Sequence, residues 1–594
     1  MYFMERILQK VQKPARYTGG EYNQIIKNKD EVNLRIAFCF PDTYEIGMSN
    51  LGLRIMYGII NEIEGCWCER VFAPWVDMEE QMRLSGLGLY GLESGDPIRE
   101  FDIIAFSIGY ELSYTNVLNM LDLAGLPLRS ADRGEDTPLV IAGGSSCYNP
   151  EPLADFVDMF IIGDGEEIIK DLICLWEGSK KDFLEKASKL CGVYVPSFYE
   201  FDYNEDGTVK EIIVVDGVPF PVQRCIVSDL DSAFYPIGTI VPSTELVHDR
   251  VVLELFRGCI RGCRFCQAGH INRPVRARSC DTLVRQGIAS VTDSGYDEIA
   301  LLSLSTSDYE DLFSLCDGLM QWCEPRRVNL SLPSLRADNF SVTLMESVQK
   351  VRKSGLTFAP EAGSQRLRDV INKNLTEEEL LETCKVAFEG GWNGIKLYFM
   401  LGLPTETDED VVAIAKLSHA VLGTWKQYAK NKSRGVRITV STSCFVPKPH
   451  TPFQWEGQIS TEEYLRRVEL LKGAMHSKAI SYKWHSPEQG IVEAVLARGD
   501  RRVGYAIEAA LRNGARLDSW SECFSLNYWN DAFDSCGIDP TFYAQRKRGY
   551  DEIFPWSVIS AGVKPEHLAH EREAAEAGAK TPDCREGCSN CGAC

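Results

Sequence analysis

The stretch Val251-Val-Leu-Glu-Leu-Phe-Arg257-Gly-Cys259-Ile-Arg-Gly-Cys263-Arg-Phe-Cys266 decides how this chain is read. Residues 251–256 form an apolar run of the kind a buried strand needs. The run enters a loop with three cysteines, separated by three and then two residues. Thiolates so spaced suit a soft or borderline metal, either zinc or an iron–sulfur cluster. Gly258 and Gly262 allow the loop backbone to approach such a centre closely. Three protein ligands on a four-iron cubane leave one iron open, as catalytic zinc sites keep a position for substrate or water.

Working outward, the chain keeps a strand–helix rhythm. Strand cores at 298–303, 328–332, 355–359, 394–400 and 437–445 alternate with helical patterns. One helix is opened by the capping box Thr376-Glu-Glu-Glu379 and stopped at Gly390-Gly391. Six such units predict an α/β domain at 246–458, a six-strand (β/α)6 partial TIM barrel with its site at the strand C-termini. Upstream, apolar runs at 34–40, 101–107, 139–142 and 157–162 alternate with helices at 51–60 and 115–123. They predict a doubly wound, Rossmann-like parallel domain over 32–195. Ligands of such sheets sit at the carboxyl ends of the strands, where Gly143-Gly144 and Gly163-Asp-Gly165 fall. Residues 1–31 read as a lead-in arm. Residues 196–245 read as a connector holding a hairpin turned at Asp206-Gly207. Residues 459–575 read as helical, opened by the capping box Ser460-Thr-Glu-Glu463, and 576–594 as a Cys-rich tail.

Composition narrows the function. The 594 residues carry 63 Lys and Arg against 85 Asp and Glu, a formal charge of −22. That charge disfavours nucleic acid as a partner. No apolar stretch reaches the roughly 18 residues of a membrane span, and Met1-Tyr-Phe-Met-Glu-Arg6 lacks the order of a signal peptide. The expected location is cytoplasmic, with no membrane partner. There are 21 cysteines, and in a reducing compartment most are expected as free thiols. Single ones such as Cys39, Cys174 and Cys384 read as small buried hydrophobes. Arginines 257, 261, 264, 273, 276 and 278 read as ion-pairing groups around an anionic centre, with contact to an anionic substrate such as RNA as the alternative. Arg498-Gly-Asp-Arg501-Arg502 and Arg546-Lys-Arg548 read as solvated helix surface, and His270 and His450 as structural. No residue is nominated as catalytic.

Cys259-x-x-x-Cys263-x-x-Cys266, with Phe265 before the last cysteine, resembles the signature of the radical SAM superfamily. The resemblance implies a 4Fe–4S cluster whose open iron chelates S-adenosylmethionine (SAM). One electron then splits the sulfonium into methionine and a 5′-deoxyadenosyl radical. Ala359-Pro-Glu361-Ala-Gly-Ser364 resembles the family's Glu-x-Gly-Ser element and nominates Glu361 and Ser364 as SAM contacts; for Ser364 a helix N-cap is the alternative. Gly402-Leu-Pro404-Thr-Glu406-Thr407 resembles the turn near the adenine and nominates Gly402. After the second strand, Leu302-Ser-Leu-Ser305-Thr306 replaces the usual Gly-Gly-Glu-like element, leaving Ser305 as the candidate contact.

Asp42-Thr-Tyr44-Glu-Ile-Gly47 resembles the Asp-x-His-x-x-Gly element of cobalamin-binding domains, and Ser107, Gly143, Gly144 and Gly163-Asp-Gly165-Glu166 fit the rest of that pattern. Tyr44 stands where the cobalt-ligating His belongs, and a phenol is a poor ligand at neutral pH. Either cobalamin binds without an imidazole, or the fold is kept without the cofactor. Cys584, Cys588, Cys591 and Cys594 offer four thiolates within a short tail. The readings are an auxiliary iron–sulfur cluster, zinc, or a mobile redox tail. The whole order resembles a bacterial family of cobalamin-binding-domain/radical SAM proteins ending in such a tail. The resemblance implies methyl or methylthio transfer to an unidentified small or macromolecular substrate, with a reductant such as flavodoxin or ferredoxin. The competing reading is a non-enzymatic iron–sulfur redox sensor, assembly factor or electron-transfer protein.

Overall fold

Alternation along the N-terminal strands divides the core into two faces. In β1, Leu34–Phe40, the side chains of Ala37 and Cys39 join one cluster and those of Ile36, Phe38 and Phe40 the other. The computed structural model describes residues 2–332, 356–433 and 435–594. Its first sheet has the order β2-β1-β3-β4-β5-β6, with β2 Cys66–Phe72, β3 Ile103–Ser107, β4 Leu139–Gly143, β5 Met159–Ile161 and β6 Val193–Tyr194. The first five strands are parallel and β6 closes the edge antiparallel. The chain reverses direction across the sheet between β1 and β3, a switch point that opens a crevice at the strand ends.

The sequence reading lacks β2, because Cys-Trp-Cys-Glu69-Arg70-Val-Phe carries two charges in a strand whose every residue is buried. The charges are paired inside the protein. Arg70 meets Glu21 at 2.9 Å and Glu93 at 2.7 Å, and Glu69 meets Arg35 at 2.5 Å. Glu21 belongs to the stretch read as a lead-in arm. That arm is built into the domain, with Ile7 and Val11 in the core.

The C-terminal helices Pro487–Arg498, Val503–Asn513 and Leu526–Cys536 complete a layer on the first sheet, sharing one core with Ala37, Phe106 and Val140. Here the reading of 498–502 and 546–548 as solvated surface is corrected. Arg498 is wholly buried, donating to backbone carbonyls that include that of Glu456, and Arg548 is buried against Trp556. Arg501 pairs with buried Glu151 of the first domain at 3.1 Å. An arginine whose terminal nitrogens bond carbonyls or carboxylates stays inside at a lower cost than a bare buried charge.

The segment Leu517–Trp520 locks the two regions together. Trp520 Nε1 donates to Asp42 at 2.8 Å, Leu517 N to Asn116 Oδ1 at 2.7 Å, and Thr115 Oγ1 to Asp518 at 2.7 Å. Burial raises the Asp518 carboxyl to about 6. The unfolded chain releases this proton near pH 4, so between about pH 4 and 6 the folded state holds a proton that the unfolded state lacks. Rising pH therefore lowers stability across that window. Asp518→Asn is expected to be more stable than the parent at pH 7.5 by about 2 kcal/mol, and level with it at pH 4. Urea unfolding at both pH values measures this. Equal midpoints at pH 7.5 would contradict it.

The barrel is described in two pieces. Val251–Glu254, Glu298–Leu302 and Asn329–Ser331 form a three-stranded parallel sheet. Leu356–Glu361, Gly394–Leu401, Arg437–Cys444 and Ile480–Trp484 form a four-stranded one. The first six strands are those expected, although Gly355 of the fourth lies outside the described residues. The seventh, Ile480–Trp484, corrects the reading of 459–575 as helical. It pairs with its neighbour from Ile438↔Ile480 to Thr442↔Trp484. As an edge strand with a single buried residue it shows no apolar run. The expected hairpin is present, Tyr199–Tyr203 against Val209–Val214. Among the described residues no helix is long and apolar enough to cross a membrane.

Candidate functional site

The three-cysteine loop leaves the first barrel strand through a short antiparallel ladder, Phe256↔Ala277 and Arg257↔Arg276, which pins its two ends together. Gly258 has φ +85°, and a Cβ there would lie 2.6 Å from the Pro274 carbonyl oxygen and 2.7 Å from that of Asn272, so the two limbs pack closer than any other residue allows. Cys266 caps the helix Gln267–Ile271, its Sγ accepting from Gly269 N at 3.4 Å. Burial and the neighbouring Cys263 and Cys259 push the Cys266 thiol up to about 12. A thiophilic cation would displace that proton on binding. His270 Nδ1 donates to the Cys266 carbonyl at 2.8 Å, and burial lowers its pKa to about 3, so it is a neutral brace.

The arginines of the loop are committed to the protein itself. Arg257 meets Glu254 at 2.9 Å, Asp164 at 3.2 Å and also Glu166, joining the barrel to the turn after β5. Arg261 pairs with Asp308, Arg264 with Glu571 at 2.9 Å, and Arg276 with Asp164. Arg273 binds the Gly269 and Arg261 carbonyls, and Arg278 that of Leu230. This agrees with the ion-pairing reading. Asp164 and Glu166 were read only as part of a Gly-rich turn, and Asp308 and Glu571 were not singled out in the sequence, because pairing across domains has no local spacing.

Around the mouth of the barrel, backbone strain collects at the strand ends. Glu361 (φ +66°), Asn372 (+52°), Thr405 (+64°) and His450 (+58°) all sit in the left-handed region. Each costs of order 1 kcal/mol and persists where the surroundings demand that direction. Glu361 pairs with Lys373 at 3.2 Å, and Lys373 lies 6.0 Å from the centre of the Phe265 ring, so two nominated residues share one cation. Gly402 donates its N–H to buried Glu406 at 2.6 Å. Ser305 donates to Asp308 at 2.6 Å and so shares its partner with Arg261. Ser364 caps the following helix, accepting from Leu367 N at 3.1 Å while donating to Asp410.

A cavity of about 370 Å³ lies at the carboxyl ends of β1, β3, β4 and β5. Its inner wall is apolar, with Phe38, Ile55, Ala105 and Ile141, and Ser107, Gly143 and Gly144 also line it. Glu254, Arg257 and Leu302 of the barrel form the facing wall. Asp42, Tyr44 and Gly47 do not line it. Asp42 accepts from Trp520. Tyr44 donates to Glu21 at 2.7 Å and packs edge-on against Phe72, and a Cβ on Gly47 would meet that same ring at 2.3 Å. Burial beside Glu21 drives the Tyr44 phenol well above its ordinary pKa, so it is no anionic ligand.

The tail reaches the same loop. Cys584 N donates to the Ile260 carbonyl at 3.2 Å, and Cys591 is buried. Among the described residues no three His, Cys, Asp or Glu side chains are gathered at metal-ligand spacing.

Residues 52–196 match the family described as "Radical SAM proteins, N-terminal", and residues 253–418 match the "Radical SAM superfamily". An uncharacterised protein of Methanocaldococcus jannaschii is 28% identical over 85% of this chain and 97% of its own length. An uncharacterised methyltransferase of Pyrococcus horikoshii is 25% identical over 48% of this chain and 58% of its own. Among solved structures, the radical SAM methyltransferase TsrM of Kitasatospora setae, with cobalamin and a 4Fe–4S cluster bound, aligns with TM-score 0.47 and 12% identity over 71% of this chain and 77% of that one. With its cysteine loop at the first strand of a parallel barrel and both family matches in register with the two domains, the chain belongs to the radical SAM superfamily and is a radical SAM enzyme, with a 4Fe–4S cluster and SAM as its cofactors.

Proposed function

We propose that this enzyme transfers a methyl group with cobalamin as carrier. The observation that carries this reading is the cavity at the switch point, which is walled on one side by the doubly wound sheet and on the other by Glu254, Arg257 and Leu302. A group held there faces the mouth of the barrel. The volume is within the range of small-molecule sites, too small for a corrin ring and suited to the nucleotide side arm of cobalamin. Its apolar end fits a flat heterocycle, and Ser107 with the glycine turns supplies a polar rim with little side-chain bulk. The name of the Pyrococcus horikoshii relative supports methyl transfer.

When bound, the cluster supplies the electron that cleaves SAM, and cobalamin a methyl carrier. The chain's own residues place them. Cys259, Cys263 and Cys266 offer three sulfurs from one pinned loop. Glu361 and Lys373 present opposite charges at the barrel mouth for the two ends of an amino acid zwitterion. Arg257 holds the cavity wall to the barrel through two carboxylates, Asp164 and Glu166. The reaction needs a substrate and a one-electron reductant, for which we propose flavodoxin or ferredoxin.

The test is equilibrium binding of hydroxocobalamin, followed by its visible spectrum. One equivalent is expected, without the signature of a coordinated imidazole. Gly144→Val should weaken binding more than about tenfold, since a Cβ at Gly144 already meets the Ile108 carbonyl oxygen at 2.4 Å. Tyr44→Phe should leave the bound spectrum unchanged while costing about 1 kcal/mol of stability through the lost bond to Glu21. Failure to bind cobalamin would remove the carrier, and an altered spectrum in Tyr44→Phe would return Tyr44 to the cobalt.

A further inference from the structure

We propose that Cys584, Cys588, Cys591 and Cys594 hold a second iron–sulfur centre, seated against the loop of the first. This rests on the radical SAM assignment and adds a site to it. The run Cys584-Arg-Glu-Gly-Cys588-Ser-Asn-Cys591-Gly-Ala-Cys594 holds four thiols and no histidine. Structural zinc draws its ligands in pairs across a longer segment, whereas compact cysteine runs suit a cubane.

The placement is specific. The Thr581 carbonyl accepts from the side-chain amides of Asn372 and Asn374, each at 3.1 Å, and Thr581 N donates to Asn372 Oδ1 at 3.0 Å. Asn372 also donates to the Gly262 carbonyl at 3.1 Å, beside Cys263. Asp583 lies 3.5 Å from Arg261, and Arg585 lies 3.4 Å from Asp308, the partner of Arg261. Cys584 N donates to the carbonyl of Ile260, the residue after Cys259. Standard backbone dimensions then put the Cα atoms of Cys584 and Cys259 no more than about 11 Å apart.

The far end of the tail is held as firmly. Cys591 is buried with Trp455, Phe554 and Trp556, and its carbonyl accepts from Lys564 N at 2.8 Å. Between these anchors Asn590 and Gly592 take φ +53° and +87°, coiling the chain. Asn590 N points at Cys588 Sγ from 3.4 Å. Such a centre serves as a relay. An external low-potential one-electron carrier protein reduces it, and it passes the same single electron to the SAM cluster, returning to its starting state.

The experiment uses full-length protein purified without oxygen and reconstituted with iron and sulfide. It compares the parent with Cys263→Ala and with Cys588→Ser/Cys594→Ser, two exposed positions outside the core. The parent is expected to hold about eight irons per chain and each variant about four. Electron paramagnetic resonance of the dithionite-reduced parent should show two neighbouring, mutually broadened centres, and each variant a single unbroadened one. Full iron in the tail variant, one zinc per chain in place of four irons, or additive, unbroadened spectra would overturn the second centre. Full iron in Cys263→Ala would instead overturn the assignment of the first.

Discussion

Cys263→Ala, reconstituted without oxygen and given SAM and dithionite, is expected to yield 5′-deoxyadenosine more than about 100-fold more slowly than the parent. Loss of an outer contact to a ligand already weakens metal affinity by about 10- to 100-fold, and this substitution removes one of three ligands outright. The loop offers no substitute. Its limbs are pinned by the ladder at Phe256 and Arg257, and Cys266 is fixed as a helix cap. His270 is turned to a backbone carbonyl and held neutral by burial. Product release is read by liquid chromatography, and parent-like turnover would show that the loop is not the ligand set.

Arg70→Met should destabilise the N-terminal domain by about 3–5 kcal/mol. The guanidinium is fully buried and neutralises Glu21 and Glu93, both also buried. A methionine fills much of the volume but leaves the two carboxylates facing one another without a cation. They then ionise only at a high desolvation cost, or fold only when protonated. For a domain of this size such a loss lowers the melting temperature by about 10 °C. Thermal unfolding followed by tryptophan fluorescence tests it, with Trp67 in the same strand as reporter. The triple variant Glu21→Gln/Arg70→Met/Glu93→Gln should recover part of the loss, because it removes the stranded charges along with their partner. An unchanged melting temperature in Arg70→Met would mean that these charges do not carry the strand.

Elements with a one-dimensional signature were legible. The apolar runs of the other N-terminal parallel strands and of six barrel strands appear as such in the sequence, as do the capping box at Thr376 and the Asp-Gly hairpin. Elements stabilised by partners far along the chain were not. The strand Cys66–Phe72 hides two charges whose counterions come from 21, 35 and 93, and the edge strand Ile480–Trp484 needs one buried residue only. Arg498 and Arg548 look like surface cations until their carbonyl partners surround them.

The same division holds for the site. The chain's own letters determined the three-cysteine loop and its place at the end of a barrel strand, because residue type and spacing are local properties, and the reaction class followed from the resemblance those residues carry. Tertiary structure alone decided that Asp42 and Tyr44 brace the domain rather than face the cavity, that six arginines are spent on ion pairs and carbonyls, and that the cysteine tail lies on the catalytic loop. Those outcomes depend on which distant groups satisfy a buried charge or a free backbone amide, and only the folded chain brings them together.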